Sequence, residues 1–219
     1  MAVCEEKSVA VFSLEVPAVP LVKSMICRKA GVSMHKLSSG QVTRGDLESI
    51  ALSVRYLQRA NIFIDDTASQ DIKVIKSKAR RLKKQHGLDL ILIDYLQLAK
   101  DDSVNNNRQV EISNLSSGLK ALAKELNIPI IVLAQLNRAV ENRKEQRPRS
   151  SDLRESGSIE QDADMIGLIY RCINKEQKEG EVIDESETLL IIDKNRFGPT
   201  GDIRFRFEKE LTLFKEIEE

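Results

Sequence analysis

The sequence is poor in the residues that mark several specialised classes of protein. It has no tryptophan, and aromatic residues make up 4% of its 219 residues, so a folded core must be aliphatic. Its three cysteines are scattered, with no pair at the spacing of a metal site, and their odd number fits a reducing, cytoplasmic environment. No apolar run approaches the roughly 18 residues that a membrane-spanning helix needs, so we expect no membrane contact.

The chain also lacks an excess of charge of either sign. Lys plus Arg and Asp plus Glu both count 34, so any surface for nucleic acid must be a local patch. One candidate is the basic outer face of a helix predicted from about Gln70 to His86, with Ser69 as its cap. A run of this kind is usually a solvated helix face, and contact with nucleic acid is the less common alternative.

The most informative stretch that is present runs from Leu88 to Lys100. Four apolar residues precede Asp94, a pattern that predicts a buried parallel strand ending in a carboxylate. Ligands of open α/β sheets bind at the carboxyl ends of the strands, and an acid in this position holds Mg²⁺ in nucleotide-hydrolysing enzymes. The alternative is that Asp94 caps a loop or a helix.

Two further apolar segments end in polar residues. Ser8–Leu14 is followed by Glu15, and Ile130–Leu133 is followed by Ala134 and Gln135. A carboxylate beside Asp94 would suit a base that orients an attacking water, although Glu15 also precedes a predicted helix and would suit its dipole. A helix predicted over Arg108–Leu126 separates the strands of a parallel βαβ unit.

The other elements are predicted from periodicity and composition. A helix is expected at Thr43–Arg59, with Leu47 and Ala51 among its inward residues, and Val110 is expected inward on the Arg108–Leu126 helix. The polar, Asn-rich segment Asp101–Asn107 is the least ordered by composition. After the predicted strand Asp164–Tyr170, three segments that mix apolar and polar positions suggest antiparallel strands finishing the sheet: Leu189–Asp193, Asp202–Phe207 and Leu213–Lys215. We find no linker, so we predict that residues 1–219 belong to one domain.

The combination of motifs is more specific than any one of them. It resembles the RecA-like motor domain of the DnaB-like replicative hexameric DNA helicases over nearly the whole chain. The matching segments are FSLEVP (Phe12–Pro17), KARRLKKQHGLDLILIDYLQL (Lys78–Leu98), LKALAKELNIPIIVLAQLNR (Leu119–Arg138), SDLRESGSIEQDAD (Ser151–Asp164) and DKNRFGPTGDIRFRF (Asp193–Phe207). The resemblance implies a mostly parallel α/β sheet flanked by helices, with antiparallel C-terminal strands.

The resemblance also implies roles for individual residues around bound ATP. Glu15 looks like the catalytic carboxylate that polarises the attacking water, and Asp94 looks like the acid associated with Mg²⁺. Gln135 is similar to the residue that senses the γ-phosphate. Lys194 and Arg196 resemble a pair that reaches into the neighbouring subunit's site and stabilises charge in the transition state, as an arginine finger does.

A further motif of the resemblance concerns DNA. Arg154, Glu155 and Gly157 look like the loop in the central channel that contacts single-stranded DNA. Arg supplies positive charge for phosphates, and Gly allows close approach of the backbone. The alternative for Arg154 and Glu155 is a pair of ordinary solvated charges. Expected partners are single-stranded DNA, five further copies in a hexamer of the full-length protein, and possible primase and helicase-loader contacts.

One departure from the family pattern bears directly on activity. The family carries a glycine-rich phosphate loop upstream of FSLE, yet G-x-x-x-x-G-K-[ST] occurs nowhere in this sequence. The strand that carries the loop, between the strands matching Ile130–Leu133 and Asp164–Tyr170, is missing with it. We therefore expect weak ATP binding and negligible hydrolysis from the chain as given.

Three functions remain open at this point. The first is a DNA-unwinding, ATP-hydrolysing motor of which this chain is a truncated part. The second is a helicase fragment that lacks nucleotide binding and acts only as a DNA- or subunit-binding module. The third is a RecA-like ATPase without helicase activity, against which the SDLRESGSIEQDAD and NRFGPTG matches argue.

Overall fold

Two four-stranded sheets organise the chain. The computed structural model describes residues 2, 5–104, 107–143, 146–153, 157–171 and 187–217. The strands are β1 (Val9–Ser13), β2 (Ile62–Asp65), β3 (Leu90–Asp94), β4 (Ile130–Val132), β5 (Met165–Arg171), β6 (Glu187–Asn195), β7 (Gly201–Glu208) and β8 (Leu213–Glu216). The helices are α1 (Ala18–Ala30), α2 (Met34–Ser39), α3 (Arg44–Gln58), α4 (Ile72–His86), α5 (Arg108–Leu126) and α6 (Gly157–Asp162).

The first sheet is parallel, with strand order β2-β1-β3-β4. The apolar runs of β1 and β3 lie in its middle, and residues on one face pack against α4 and α5 in a single core. Ile91 pairs with Ile130 across β3 and β4, and Ser13 lies opposite Asp94 across β1 and β3. The predicted parallel βαβ unit, β3-α5-β4, is confirmed.

Several local predictions need correction. Asp71, and not Ser69, caps α4, because the Asp71 side chain accepts a hydrogen bond from the backbone N–H of Lys73. Leu47 and Ala51 on α3 and Val110 on α5 are exposed, so the inward face of each helix is narrower than helical spacing alone predicts. The bounds of α5 agree with the prediction.

The antiparallel strands form a sheet of their own. Its order is β5-β6-β7-β8, with every neighbouring pair antiparallel. Their composition suggested that these strands finish the first sheet. That prediction is wrong, because they form a separate sheet. The buried residues of the second sheet are few, with Leu168 and Ile191 at the centre, and they pack with Leu153, Ile166 and the partly buried Ala134 and Leu136.

The interruption between β4 and β5 is the main irregularity of the fold. Without the expected interior strand, three arrangements are possible at this point: β4 and β5 pair directly, the sheet is split, or residues 1–7 fill the gap. The sheet is split. Residues 5–7 form no strand, and Met1, Val3 and Cys4 lie outside the described residues. Ile131 and Leu133 near the β4 edge are 48% and 44% exposed, so we expect the chain to associate with other chains through this open strand edge.

Within the described part of the chain, no helix is long and apolar enough to cross a membrane.

Candidate nucleotide site at the carboxyl ends of the parallel strands

A cavity of about 300 Å³ opens where β1, β3 and β4 end. It is lined by residues from all three strand ends: Glu15, Asp94, Tyr95, Leu133, Ala134 and Gln135. The structure thus brings together three of the residues predicted from sequence, Glu15, Asp94 and Gln135. Polar groups at the carboxyl edge of a parallel sheet are the usual setting of a ligand site in this class of fold.

Two hydrogen bonds at the end of β1 hold Glu15 beside Asp94. The N–H of Leu14 donates to the carbonyl oxygen of Asp94 at 2.7 Å, which continues the β1–β3 ladder beyond Ser13. The Ser13 hydroxyl donates to the carbonyl of Val16 at 2.6 Å and closes the turn on which Glu15 sits. Glu15 itself is exposed and Asp94 is half-buried, so both carboxylates remain accessible from the cavity.

Gln97 holds the backbone of Gln135, and sequence reasoning missed it. The N–H of Gln135 donates to Gln97 Oε1 at 3.2 Å, and Gln97 Nε2 donates to the carbonyl of Gln135 at 3.4 Å. The Gln97 amide thereby acts like one more peptide group of the β3–β4 ladder. Among the described residues the Gln135 side-chain amide has no hydrogen-bond partner, so it is available to a ligand.

Gln97 is in turn fixed from the start of α5. Arg108 Nη2 donates to the carbonyl oxygen of Gln97 at 2.6 Å, and the Arg108 guanidinium also pairs with Glu111. The glutamine of the YLQL segment carries no periodicity or spacing that marks it. Its role is identified by its hydrogen bond to Gln135, which lies 38 positions later in the sequence. Only the folded structure reveals that contact.

Lys194 and Arg196 do not line the cavity. They lie at the end of β6 and in the turn that follows, where Lys194 Nζ donates to the carbonyl of Glu160 at 2.5 Å. Arg196 Nη1 donates to Asp164 Oδ1 at 2.9 Å. Asn195 shapes the turn, since its Nδ2 donates to the carbonyl of Pro199 at 3.1 Å. Action of Lys194 and Arg196 on a neighbouring subunit's site stays a prediction.

The predicted DNA-contacting residues are only partly described. Arg154 and Glu155 lie outside the described residues. Gly157 is exposed at the first position of α6, and a Cβ added there would meet no described atom within 4 Å. The described fold therefore gives no steric reason for glycine at this position.

The basic face of α4 is partly used inside the chain. Lys78 pairs with Asp65, Arg80 makes two hydrogen bonds to Glu125, and Lys83 Nζ donates to the carbonyl of Leu88 at 2.7 Å. Charges that are already paired are less available to phosphates. These contacts favour the ordinary reading of the face as a solvated helix surface over a nucleic-acid site.

The acids of the cavity fit Mg²⁺ held together with a phosphate chain. Among the described residues no group of three or more His, Cys, Asp and Glu side chains is arranged to hold a metal by itself. Mg²⁺ is usually held by one or two carboxylates plus substrate phosphates, and it retains several waters. Asp94, with Glu15 lining the same cavity, supplies the oxygen ligands of such a site.

Comparison with known proteins shows the family of the chain. Residues 1–216 match the model of the DnaB-like helicase C terminal domain. The chain belongs to this family. It is 43% identical to the replicative DNA helicase DnaB of Geobacillus stearothermophilus over 215 residues, and 42% identical to the replicative DNA helicase DnaC of Bacillus subtilis over 216 residues. Both matches cover 97% of this chain and 46% of the relative, so the chain spans about half the length of these relatives.

Two solved structures share the fold. The ATPase domain of G40P superposes with a TM-score of 0.88 at 34% identity, covering 97% of this chain and 75% of that chain. A DnaB-like replicative helicase, solved in a study of its interactions with primase, also superposes with a TM-score of 0.88, at 35% identity, covering 97% of this chain and 51% of that chain. The predicted RecA-like fold and family are confirmed; the roles of individual residues stay predictions.

Proposed function

We propose that this chain is the catalytic and DNA-translocating portion of a replicative helicase, in which ATP hydrolysis drives unwinding of duplex DNA by a hexameric ring. The observation that carries the proposal is the convergence of Glu15, Asp94 and Gln135 on one cavity at the carboxyl ends of β1, β3 and β4. Family membership and the "ATPase" in the name of one structural neighbour support it.

In this proposal each residue of the site has a separate role around the phosphate chain of ATP. Asp94 supplies an oxygen ligand for Mg²⁺, which neutralises charge on the phosphates when it is bound. Glu15 orients the attacking water, and the free amide of Gln135 contacts the terminal phosphate. Arg196 and Lys194 supply positive charge to the site of the next subunit, since a ring with head-to-tail interfaces brings them to another copy's cavity.

The proposed partners follow from the same assembly. Arg154, Glu155 and Gly157 are the proposed contacts to single-stranded DNA, with positive charge from Arg154 for the phosphates and close backbone approach at Gly157. Primase and a loader protein are proposed for the whole helicase, and one structural neighbour was solved in a study of its interactions with primase. Phosphate contacts predict single-strand binding that falls with salt and shows no base preference.

The proposal includes a phosphate-binding segment that these 219 residues do not contain. We infer that the segment pairs with the open edge of β4, because a parallel strand there would end beside Gln135 and the cavity. A chimaera tests this idea: the part of the Geobacillus stearothermophilus helicase that precedes its matched region is joined to this chain. We call it the completed chimaera.

The experiment compares Glu15→Gln with the unmodified completed chimaera. Glu15→Gln is expected to abolish ATP hydrolysis while nucleotide affinity changes little, because it removes a charge that orients water and not a binding contact. Fluorescent-nucleotide titration and phosphate release measure the two quantities. Glu5→Gln, a like substitution outside the cavity, is the matched control. Hydrolysis that survives Glu15→Gln would contradict the assignment.

The alternative, a module that only binds DNA or another subunit, is favoured by the split sheet and the missing glycine-rich motif. It predicts that the chain as given binds ATP weakly, since the remaining acids repel a polyanion unless Mg²⁺ intervenes. Titration of the chain with a fluorescent nucleotide and Mg²⁺ separates the two. Micromolar affinity with turnover that is lost on Glu15→Ala would rule out the module.

A further inference from the structure

The guanidinium group of Arg196 is folded back onto its own chain. Its Nη1 donates to Asp164 Oδ1 at 2.9 Å, and its Nη2 donates to the carbonyl of Gln161 at 3.4 Å. The backbone N–H of Arg196 also donates to the carbonyl of Asp164 at 2.8 Å. All three contacts lie between the end of α6 and the start of β5, so this short segment fixes both the backbone and the side chain of Arg196.

Asp164 serves two cations at once. While Oδ1 accepts from Arg196, Oδ2 accepts from Lys120 Nζ of α5. The hydrogen bond from Lys120, together with the positive charges of Lys120, Arg196 and Lys194, holds the pKa of the Asp164 carboxyl below its ordinary value. The carboxylate is therefore ionised at neutral pH and holds both partners.

The Arg196–Asp164 pair is exposed and easily exchanged. The side chains of Arg196 and Asp164 are 47% and 41% exposed, and ion pairs with this much solvent contact contribute little to stability. Loss of Arg196 would not leave Asp164 unpaired, because Lys120 keeps its hydrogen bond. An arginine guanidinium can pair with a phosphate as well as with a carboxylate, in both cases through two parallel N–H donors.

We propose that Asp164 is a positioning residue for Arg196: its carboxylate holds the guanidinium docked against the chain's own surface until a phosphate group takes the carboxylate's place. The inference rests on the proposed function, in which Arg196 acts on the phosphoryl group of a nucleotide bound by another copy. Asp164 itself touches no substrate. By competing for the guanidinium, the Asp164 carboxylate lowers the affinity of Arg196 for a phosphate group.

The test uses the chain as it is, with inorganic phosphate as the probe. Nitrogen-15 NMR follows the Nε–H signal of Arg196, assigned by its loss in Arg196→Lys, during titration with phosphate at constant ionic strength. Asp164→Asn removes the competing charge, so its phosphate affinity at Arg196 is expected to rise about two- to fivefold, the range that loss of one exposed ion-pair partner allows.

Two variants separate positioning from a general change in charge or fold. Asp202→Asn removes a carboxylate of similar exposure that pairs with Arg147, and it should leave phosphate affinity at Arg196 unchanged. Asp164→Glu keeps the carboxylate and should restore an affinity close to that of the unmodified chain. Unchanged or lower affinity in Asp164→Asn, or an equal rise in Asp202→Asn, would overturn the proposal.

A second measurement decides the matter if Asp164→Asn does not fold. In the unmodified chain, phosphate should shift the Asp164 carboxyl carbon signal and the Arg196 Nε–H signal along one shared binding curve. The reason is that the Arg196 guanidinium leaves the Asp164 carboxylate when it binds phosphate. A shift of Arg196 without Asp164 would overturn the proposal. This readout needs no ATP hydrolysis, so its failure is distinct from a failure of the proposed function, which is judged on Glu15→Gln in the completed chimaera.

Discussion

The two sheets differ in how they are held together. In the parallel sheet β1 and β3 are covered by a continuous, mostly aliphatic core in which Ile75, Ile91 and Ile93 have no exposed surface. In the antiparallel sheet the buried residues are few, and most of β7 and β8 is exposed. Ion pairs such as Arg204–Glu187 and Lys215–Glu208 cross its surface.

This difference fits the two kinds of chemistry that we propose for the two sheets. Glu15, Asp94 and Gln135 extend from the ends of tightly packed strands, which suits groups that must keep a fixed geometry around a nucleotide. Lys194 and Arg196 lie on the exposed sheet and are held by hydrogen bonds and one exposed ion pair. Such contacts suit groups that change partners when another subunit approaches.

The largest expected effect comes from truncating an isoleucine in each sheet. Ile91→Ala removes a side chain with 0% exposure and should lower the free energy of unfolding by about 2–5 kcal/mol, as buried isoleucine truncations do. Ile203→Ala, at a position 37% exposed on β7, should cost less than about 1 kcal/mol. Urea denaturation followed by circular dichroism compares them, and equal losses would contradict the proposed difference between the sheets.

A smaller effect is expected from Asp101, which is 6% exposed. Its Oδ1 accepts from the Ser103 N–H at 3.1 Å and from the Ser103 hydroxyl, and its Oδ2 accepts from Asn114 Nδ2 at 3.0 Å. The hydrogen bond from the Ser103 side chain is the main cause of a lowered pKa, below the ordinary value of 3.8. Asp101→Asn should cost about 1–3 kcal/mol at neutral pH, because hydrogen bonds to a charge are lost.

The pH dependence of Asp101 has a definite sign. Because the pKa is lower in the folded chain, the carboxylate stabilises the fold fully above the unfolded value near 3.8, and this contribution is lost as the pH falls toward the folded pKa. Stability measured by urea between pH 7 and pH 3 should fall less in Asp101→Asn than in the unmodified chain. Asp102→Asn, at an exposed neighbour, serves as the control and should not flatten the profile.

The smallest expected effect is local to the cavity. Gln97→Met keeps the length of the side chain but removes both hydrogen bonds to the Gln135 backbone, so exchange of the Gln135 amide hydrogen should become about tenfold faster, which corresponds to roughly 1.4 kcal/mol. Hydrogen exchange by NMR measures it. The Leu133 amide, which donates to the carbonyl of Ile93 at 2.9 Å, should be unaffected, and a similar change at both amides would argue against a specific role of Gln97.

The parallel sheet was predictable because its strands are apolar on both faces and end in polar residues. A continuous run such as Leu90–Ile93 can only be a buried strand or part of a buried helix, and its short length between Gly87 and Asp94 favours the strand. Long amphipathic α5 was predicted with its correct bounds, because Asn127 ends it in a left-handed conformation (φ 51°) that asparagine tolerates.

The remaining features depend on contacts between distant parts of the chain. Ser69 and Asp71 are both residue types that cap helices well. Asp71 is the cap in the structure, and its carboxylate also accepts a hydrogen bond from the N–H of Asp102 at 3.0 Å. Asp101 lies in the segment predicted to be least ordered, yet it is buried because Ser103 and Asn114 satisfy its carboxylate. The role of Gln97 is likewise invisible in the sequence, since its partner is 38 residues away.

The most direct test asks whether Glu15 acts on the nucleotide of its own subunit while Arg196 acts on the nucleotide of the next subunit. Arg196→Ala and Glu15→Gln versions of the completed chimaera are each expected to lack ATP hydrolysis. Mixed in equal amounts into one ring, they should regain it at about a quarter of the interfaces, where an intact Glu15 meets an intact Arg196 from the next subunit. No recovery on mixing, in rings shown to contain both variants, would contradict the claim that Arg196 acts across the interface.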